Sequence, residues 1–150
     1  MQARPGEDLV SCAVTWKGWN VRKKELAIDI VDDDVSLCRA LARLLKVAGF
    51  RDIGQFHSAE DFLSMSSRRR PSLLILDLRL PGMSGMDLLG YIRSQGNRVP
   101  VILISSHDEE LIHAQDTNYH PVSFLLKPFE EEDLLSIIRG IEPFDPSPPV

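Results

Sequence analysis

Four apolar runs in this sequence end on a group able to do chemistry. "AIDIV" runs into Asp32-Asp33-Asp34, "LLILD" ends on Asp77, "VILIS" ends on Ser105, and "FLLK" ends on Lys127. Carboxylates, a hydroxyl and an ammonium gathered in one pocket have the makings of phosphoryl chemistry. Asp32, Asp33 and Asp77 held close together repel and raise one another's pKa unless a cation sits among them. A hard divalent ion, with Mg2+ as the candidate, suits such oxygen ligands and keeps several waters or phosphate oxygens. Asp77 is then the nucleophile candidate, because a carboxylate can take a phosphoryl group as an aspartyl phosphate. Mg2+ and Lys127 would supply the charge neutralisation on which phosphoryl transfer depends, and Ser105 a hydrogen bond to a phosphoryl oxygen.

The elements that must bring these groups together are legible from periodicity. "ELAIDIV" (25–31) reads as a strand, and the segment 35–48 carries Cys38, Leu41, Leu44, Leu45 and Ala48 at helical spacing up to Gly49. A weak strand at 51–56 precedes a helix opened by a Ser58-to-Asp61 capping pattern. "SLLILD" (72–77) and "VPVILIS" (99–105) are continuously apolar, as inner parallel strands buried on both faces are. Helices fit 85–95, 109–116 and 130–141, and a last strand fits 122–127. The alternation predicts an α/β fold, a doubly wound five-stranded parallel sheet with five helices. Ligands of such sheets bind beyond the carboxyl ends of the strands, and that is where the groups named above fall.

Composition narrows the function classes. A chain of 150 residues with 43% apolar content supports one ordinary domain, placed at 25–142. Residues 1–24, with Trp16 and Trp19, form an extension of no evident periodicity, and the proline-rich residues 143–150 read as a tail or linker. The net charge of −5 gives no reason to expect direct nucleic-acid binding by this domain. Arg68-Arg69-Arg70 reads as a solvated loop, and Gly82 and Gly85 as turn residues that allow positive φ. Cys12 and Cys38 have no metal-ligand spacing, and Cys38 reads as a small core residue. No apolar run is long enough to span a bilayer, so no membrane association and a cytoplasmic location are expected.

"IVDDD", "LILDLRLPGMSGMDLL", "PVILISS" and "FLLKPF" resemble, in order and spacing, the signature of the receiver domain of two-component response regulators. The resemblance covers roughly residues 25 to 142, and the pattern after Asp77 is most similar to receivers of regulators with helix-turn-helix output domains. It implies a flavodoxin-like fold and a signalling phosphoacceptor, one that catalyses only its own phosphorylation and dephosphorylation. Carried over by position, Asp77 resembles the phosphoacceptor and Asp33 a direct Mg2+ ligand. Asp32 would hold the ion through water, and the Arg79 backbone carbonyl would complete the set. Ser105 matches the switch hydroxyl, Phe124 the switch aromatic, and Lys127 the lysine that pairs with the phosphoryl group, while Lys127-Pro128 is the cis-peptide candidate. The implied partners are a histidine kinase or a histidine phosphotransfer protein, with a homodimer through the face of the fourth helix and fifth strand as one form of output.

Rival readings are weaker on specific residues. A haloacid-dehalogenase-type phosphohydrolase needs a second acid two residues after its nucleophile, and here that position is Arg79. Nucleotide or flavin binding wants a Gly- or Ser/Thr-rich loop after the first strand, where this chain has three acids. A phosphorylation-independent receiver-like binding module needs only the fold. The segment "TNYHPV" departs from the receiver pattern and leaves the fourth helix short.

Overall fold

A computed structural model describes residues 26–115 and 117–141, together with the short strands β1 (Val14–Trp16) and β2 (Trp19–Val21). Cys12 and the proline-rich residues 143–150 lie outside the described residues. β1 and β2 pair antiparallel with Trp16 opposite Trp19, although the sequence shows no strand periodicity there. Each strand is three residues of mostly β-branched and aromatic type, too short for an alternation to register.

The main sheet contains β3 (Ala27–Val31), β4 (Asp52–Phe56), β5 (Leu73–Asp77), β6 (Val101–Ser105) and β7 (Val122–Leu126) in the order β4-β3-β5-β6-β7. Every pairing in it is parallel. The helices are α1 (Val35–Val47), α2 (Ala59–Ser64), α3 (Gly85–Ser94), α4 (Asp108–Gln115) and α5 (Glu131–Gly140). Strand order reverses beside β3, which opens a crevice at the carboxyl ends of β3 and β5. β5 and β6 are buried along their whole lengths, as their unbroken apolar runs predict.

Alternation along the strands supplies a core on each face of the sheet. Ile28, Ile30, Ile75, Ile102 and Ile104 pack with Cys38, Leu41 and Leu45 of α1 and Leu134 and Ile138 of α5. Val31, Leu74, Leu76, Val101 and Leu103 pack with Phe62 of α2, Leu88 and Ile92 of α3 and Leu111 of α4. The expected core role of Cys38 holds, and burial raises its thiol pKa to about 11. The caps follow the sequence: Asp34 accepts from Leu37 N at 3.1 Å, Ser58 from Asp61 N at 3.0 Å, and Ser84 from Asp87 N at 3.1 Å.

Gly82 and Gly85 play different parts. Gly82 has φ 74, as a turn residue of positive φ does. Gly85 does not; a Cβ there would press into the Asp77 carbonyl and lie 2.8 Å from Leu78 Cα, so glycine lets the start of α3 sit against the end of β5. Gly85→Ala must move one of the two, and we expect it to lose ~1–3 kcal/mol of stability in urea unfolding, in line with overpacked sites. An unchanged midpoint would show that this junction yields freely.

The Arg68-Arg69-Arg70 loop is not simply solvated. Arg69 turns inward, with Nε 2.5 Å from Asp29 Oδ1 and Nη1 2.5 Å from Asp52 Oδ1. Asp29 is 1% exposed in mid-strand, and its Oδ2 has no hydrogen-bond partner. Gly54, opposite Asp29 in the register, leaves room for the pair, since a Cβ there would meet the Asp29 carboxylate and Arg69 Nε.

The "TNYHPV" segment is held by Arg93 of α3. Its guanidinium donates to the carbonyls of Tyr119 at 2.8 Å, Asn97 at 3.0 Å and Pro121 at 3.0 Å. Burial, with Arg98 nearby, lowers the Arg93 pKa to about 10. α4 is as short as expected, with only Leu111 and Ala114 buried. His120-Pro121 and Lys127-Pro128 are both cis; only the second was expected from the sequence.

Candidate functional site

β3, β5, β6 and β7 end side by side, and the groups at the ends of β3, β5 and β7 meet. Asp32, the residue after β3, is 2% exposed, Asp77 is 7% exposed and Ser105 is 1% exposed. Lys127, just past β7, reaches across the crevice and places Nζ 3.1 Å from Asp32 Oδ2 and 3.1 Å from Asp77 Oδ2. Asp33 is exposed, and one oxygen from each of Asp32, Asp33 and Asp77 lies within 4.8 Å of the other two. Such a close carboxylate set suits a hard cation and offers nothing to a soft one.

Each carboxylate is aimed by its own backbone. Asp32 Oδ1 accepts from Asp34 N at 2.9 Å, and Asp77 Oδ1 accepts from Arg79 N at 2.8 Å. The Asp32 peptide is fixed as well. Its N–H donates to Phe56 O at 3.0 Å, its carbonyl accepts from Cys38 Sγ at 3.3 Å, and His57 Nδ1 lies 3.2 Å from that carbonyl. With Oδ1 and Oδ2 of both residues committed in this way, neither carboxyl can turn without losing a bond.

The electrostatics differ in emphasis from the sequence-based expectation. The Asp32 pKa is raised chiefly by burial; the charge of Asp77 adds to the rise, while Asp34 N and Lys127 oppose it. Mutual repulsion is thus the smaller cause. Burial pushes the Lys127 ammonium down, but its hydrogen bonds to Asp32 and Asp77, together with the charges of those carboxylates, more than offset that and leave its pKa raised. The ammonium is the cation these two carboxylates share.

Ser105 sits at the end of β6, beside the strand that carries Asp77. Its Oγ lies 2.6 Å from Glu110 Oε1 and 3.2 Å from His107 O, and it accepts from His107 N at 3.0 Å. Glu110 Oε2 takes Arg79 Nε at 2.8 Å. The Ser105 hydroxyl, and after it Arg79, hold the Glu110 carboxyl pKa below the ordinary range. Phe124 is half-buried on β7 and packs against the face formed with α2, α3 and α4. Sequence reasoning missed Glu110. It stands in a first helical turn with Asp108 and Glu109, so its acidity alone does not set it apart.

A doubly wound receiver fold with an acidic crevice at its switch point defines the class, and comparison agrees. Residues 28–139 match the response regulator receiver domain family, and the chain belongs to that family. It is 37% identical over 120 residues to the response regulator protein TmoT of Ectopseudomonas mendocina, covering 80% of this chain and 54% of that protein. It is 38% identical over 113 residues to the response regulator protein TodT of Pseudomonas putida, covering 75% and 49%. Among solved structures it is similar to the response regulator StyR, 34% identical with TM-score 0.64 over 75% of this chain and 56% of that one. The chemotaxis protein CheY4 of Vibrio cholerae shares the fold, at 21% identity and TM-score 0.68 over 76% of this chain and 96% of that one. The chain spans about half the length of the curated relatives it matches. Among the described residues no helix is long and apolar enough to cross a membrane.

Proposed function

We propose that the protein is a phosphoacceptor switch in which Asp77 takes a phosphoryl group from the phosphohistidine of a kinase or phosphotransfer protein. The observation that carries this reading is the convergence on Asp77 of a buried carboxylate, an exposed carboxylate and a bridging lysine, from the carboxyl ends of β3 and β7. In the transfer an Asp77 carboxylate oxygen attacks phosphorus, the phosphorus–nitrogen bond breaks, and the imidazole leaves with the bonding pair and is reprotonated. Lys127, already at the Asp77 carboxylate, pairs with the added negative charge. The Asp77 orientation is held meanwhile by Arg79 N.

The donor set fits Mg2+. Asp33 and Asp77 would hold it directly with the Arg79 carbonyl, and Asp32 through water; when bound, the ion supplies charge neutralisation for phosphoryl oxygens. The phosphoryl group adds about −1.5 to −2 of charge and draws Ser105 and Lys127 toward it, with Phe124 following on β7. The state of the site is thereby passed to the α4–β7 face, where Ile112 is 60% and Leu126 is 43% exposed and where a second copy or another partner would dock.

Intact mass spectrometry after incubation with acetyl phosphate and Mg2+ tests the reading. One phosphoryl adduct is expected, absent from Asp77→Asn and from a metal-free sample. A folded protein that takes no adduct would contradict the proposal and leave a binding module that works without phosphorylation.

A further inference from the structure

The Ser105 hydroxyl has a single proton to donate, and in this structure its nearest acceptor is not on Asp77. It is Glu110 Oε1, at 2.6 Å. Glu110 is in turn held through its other oxygen by Arg79 Nε at 2.8 Å, and Arg79 N binds Asp77 Oδ1 at 2.8 Å. A chain of contacts therefore runs from Asp77 through Arg79 and Glu110 to Ser105, with β5, β6 and the first turn of α4 as its supports.

We propose that Glu110 is a positioning residue, a latch that holds the Ser105 hydroxyl away from the acceptor site and must release it before Ser105 can bond a phosphoryl group on Asp77. The inference rests on the phosphoacceptor reading of Asp77 and adds to it a residue that opposes the switched state. The charge-assisted bond to a carboxylate is the stronger kind, so its loss is a cost set against every phosphoryl group that recruits Ser105. A ligand shifts a two-state element only by its differential affinity for the two states, and Glu110 lowers the phosphoryl group's net preference for the recruited one. Because Glu110 belongs to α4, release also frees the first turn of that helix, which couples the state of the hydroxyl to the α4–β7 face. Arg79 gives the latch its sense of position: the residue whose N–H holds the acceptor carboxylate also holds the latch.

Beryllofluoride, a non-covalent phosphoryl mimic, tests this at equilibrium by fluorine NMR titration in the presence of Mg2+. Glu110→Ala is expected to tighten binding roughly threefold to tenfold, the worth of one net hydrogen bond. Glu110→Gln, which keeps an acceptor for the hydroxyl but drops the charge, is expected to gain less. In a Ser105→Ala background, Glu110→Ala is expected to change nothing, since no hydroxyl is left to release. An unchanged affinity in Glu110→Ala overturns the latch. So does an equal gain in Glu110→Gln or in the Ser105→Ala background, because removal of a negative charge near an anion then explains the effect. Should the wild type itself bind no beryllofluoride and take no adduct from acetyl phosphate, the failure lies with the phosphoacceptor reading instead.

Discussion

Arg69→Ala is expected to unfold in urea with about 3 kcal/mol less free energy than the wild type at neutral pH, a deficit that shrinks as the solution is acidified. The reason is Asp29. Its carboxylate is buried in β3 and its Oδ2 has no partner, so removing the guanidinium from Oδ1 strands a charge in the core. The folded pKa of Asp29 lies above 3.8 because burial outweighs the lowering by Arg69. Between 3.8 and that folded value the native state binds more protons than the unfolded one, so stability falls as pH rises. Without Arg69 the folded pKa climbs further, the falling range widens upward, and the variant loses more than the wild type at each step toward neutrality. Well below pH 3.8, where Asp29 is protonated in both states, this part of the deficit disappears. A deficit that stays constant across that range would mean that Arg69 acts through packing of its stem and not through charge.

Lys127→Ala is the second large effect. The side chains of Asp32 and Asp77 are 3% and 9% exposed, and the Lys127 ammonium is the cation that bridges them. In metal-free buffer the variant is expected to lose about 2 kcal/mol, the figure for a broken buried pair reduced because Lys127 is itself 21% exposed. Added Mg2+ should then raise its melting temperature by more than it raises that of the wild type, since the ion no longer competes with an ammonium for the same carboxylates. Differential scanning fluorimetry with and without Mg2+ reads this directly. Equal shifts in the two proteins would show that metal and lysine do not share the carboxylates.

The strand ends were legible because an apolar run that stops on a polar residue marks where a buried strand leaves the core, and the parallel alternation fixes which ends lie together. Asp32, Asp33, Asp77 and Lys127 accordingly fall in one crevice, with Ser105 at the end of the strand beside Asp77. What was not legible depends on side-chain direction. Arg69 stands in a run of three arginines that composition alone assigns to solvent, and only the pairing of Asp29 with Gly54 reveals the space it enters. Glu110 lies in a first turn rich in acids, as many helix N-termini do, and nothing in the spacing says that its carboxylate turns toward Ser105. Gly85 was expected to serve positive φ, but it serves the close approach of α3 to the Asp77 carbonyl, a demand set by tertiary packing.

The most direct measurement is chemical mapping of the phosphorylated residue. The protein is incubated with acetyl phosphate and Mg2+, the acyl phosphate is reduced with borohydride, and the peptides are sequenced by mass spectrometry. Homoserine at position 77 and at no other acidic position is the expected result. Homoserine at Asp32 or Asp33, or an unreduced Asp77 in a protein that carries the phosphoryl mass, would contradict the assignment of Asp77 as the acceptor.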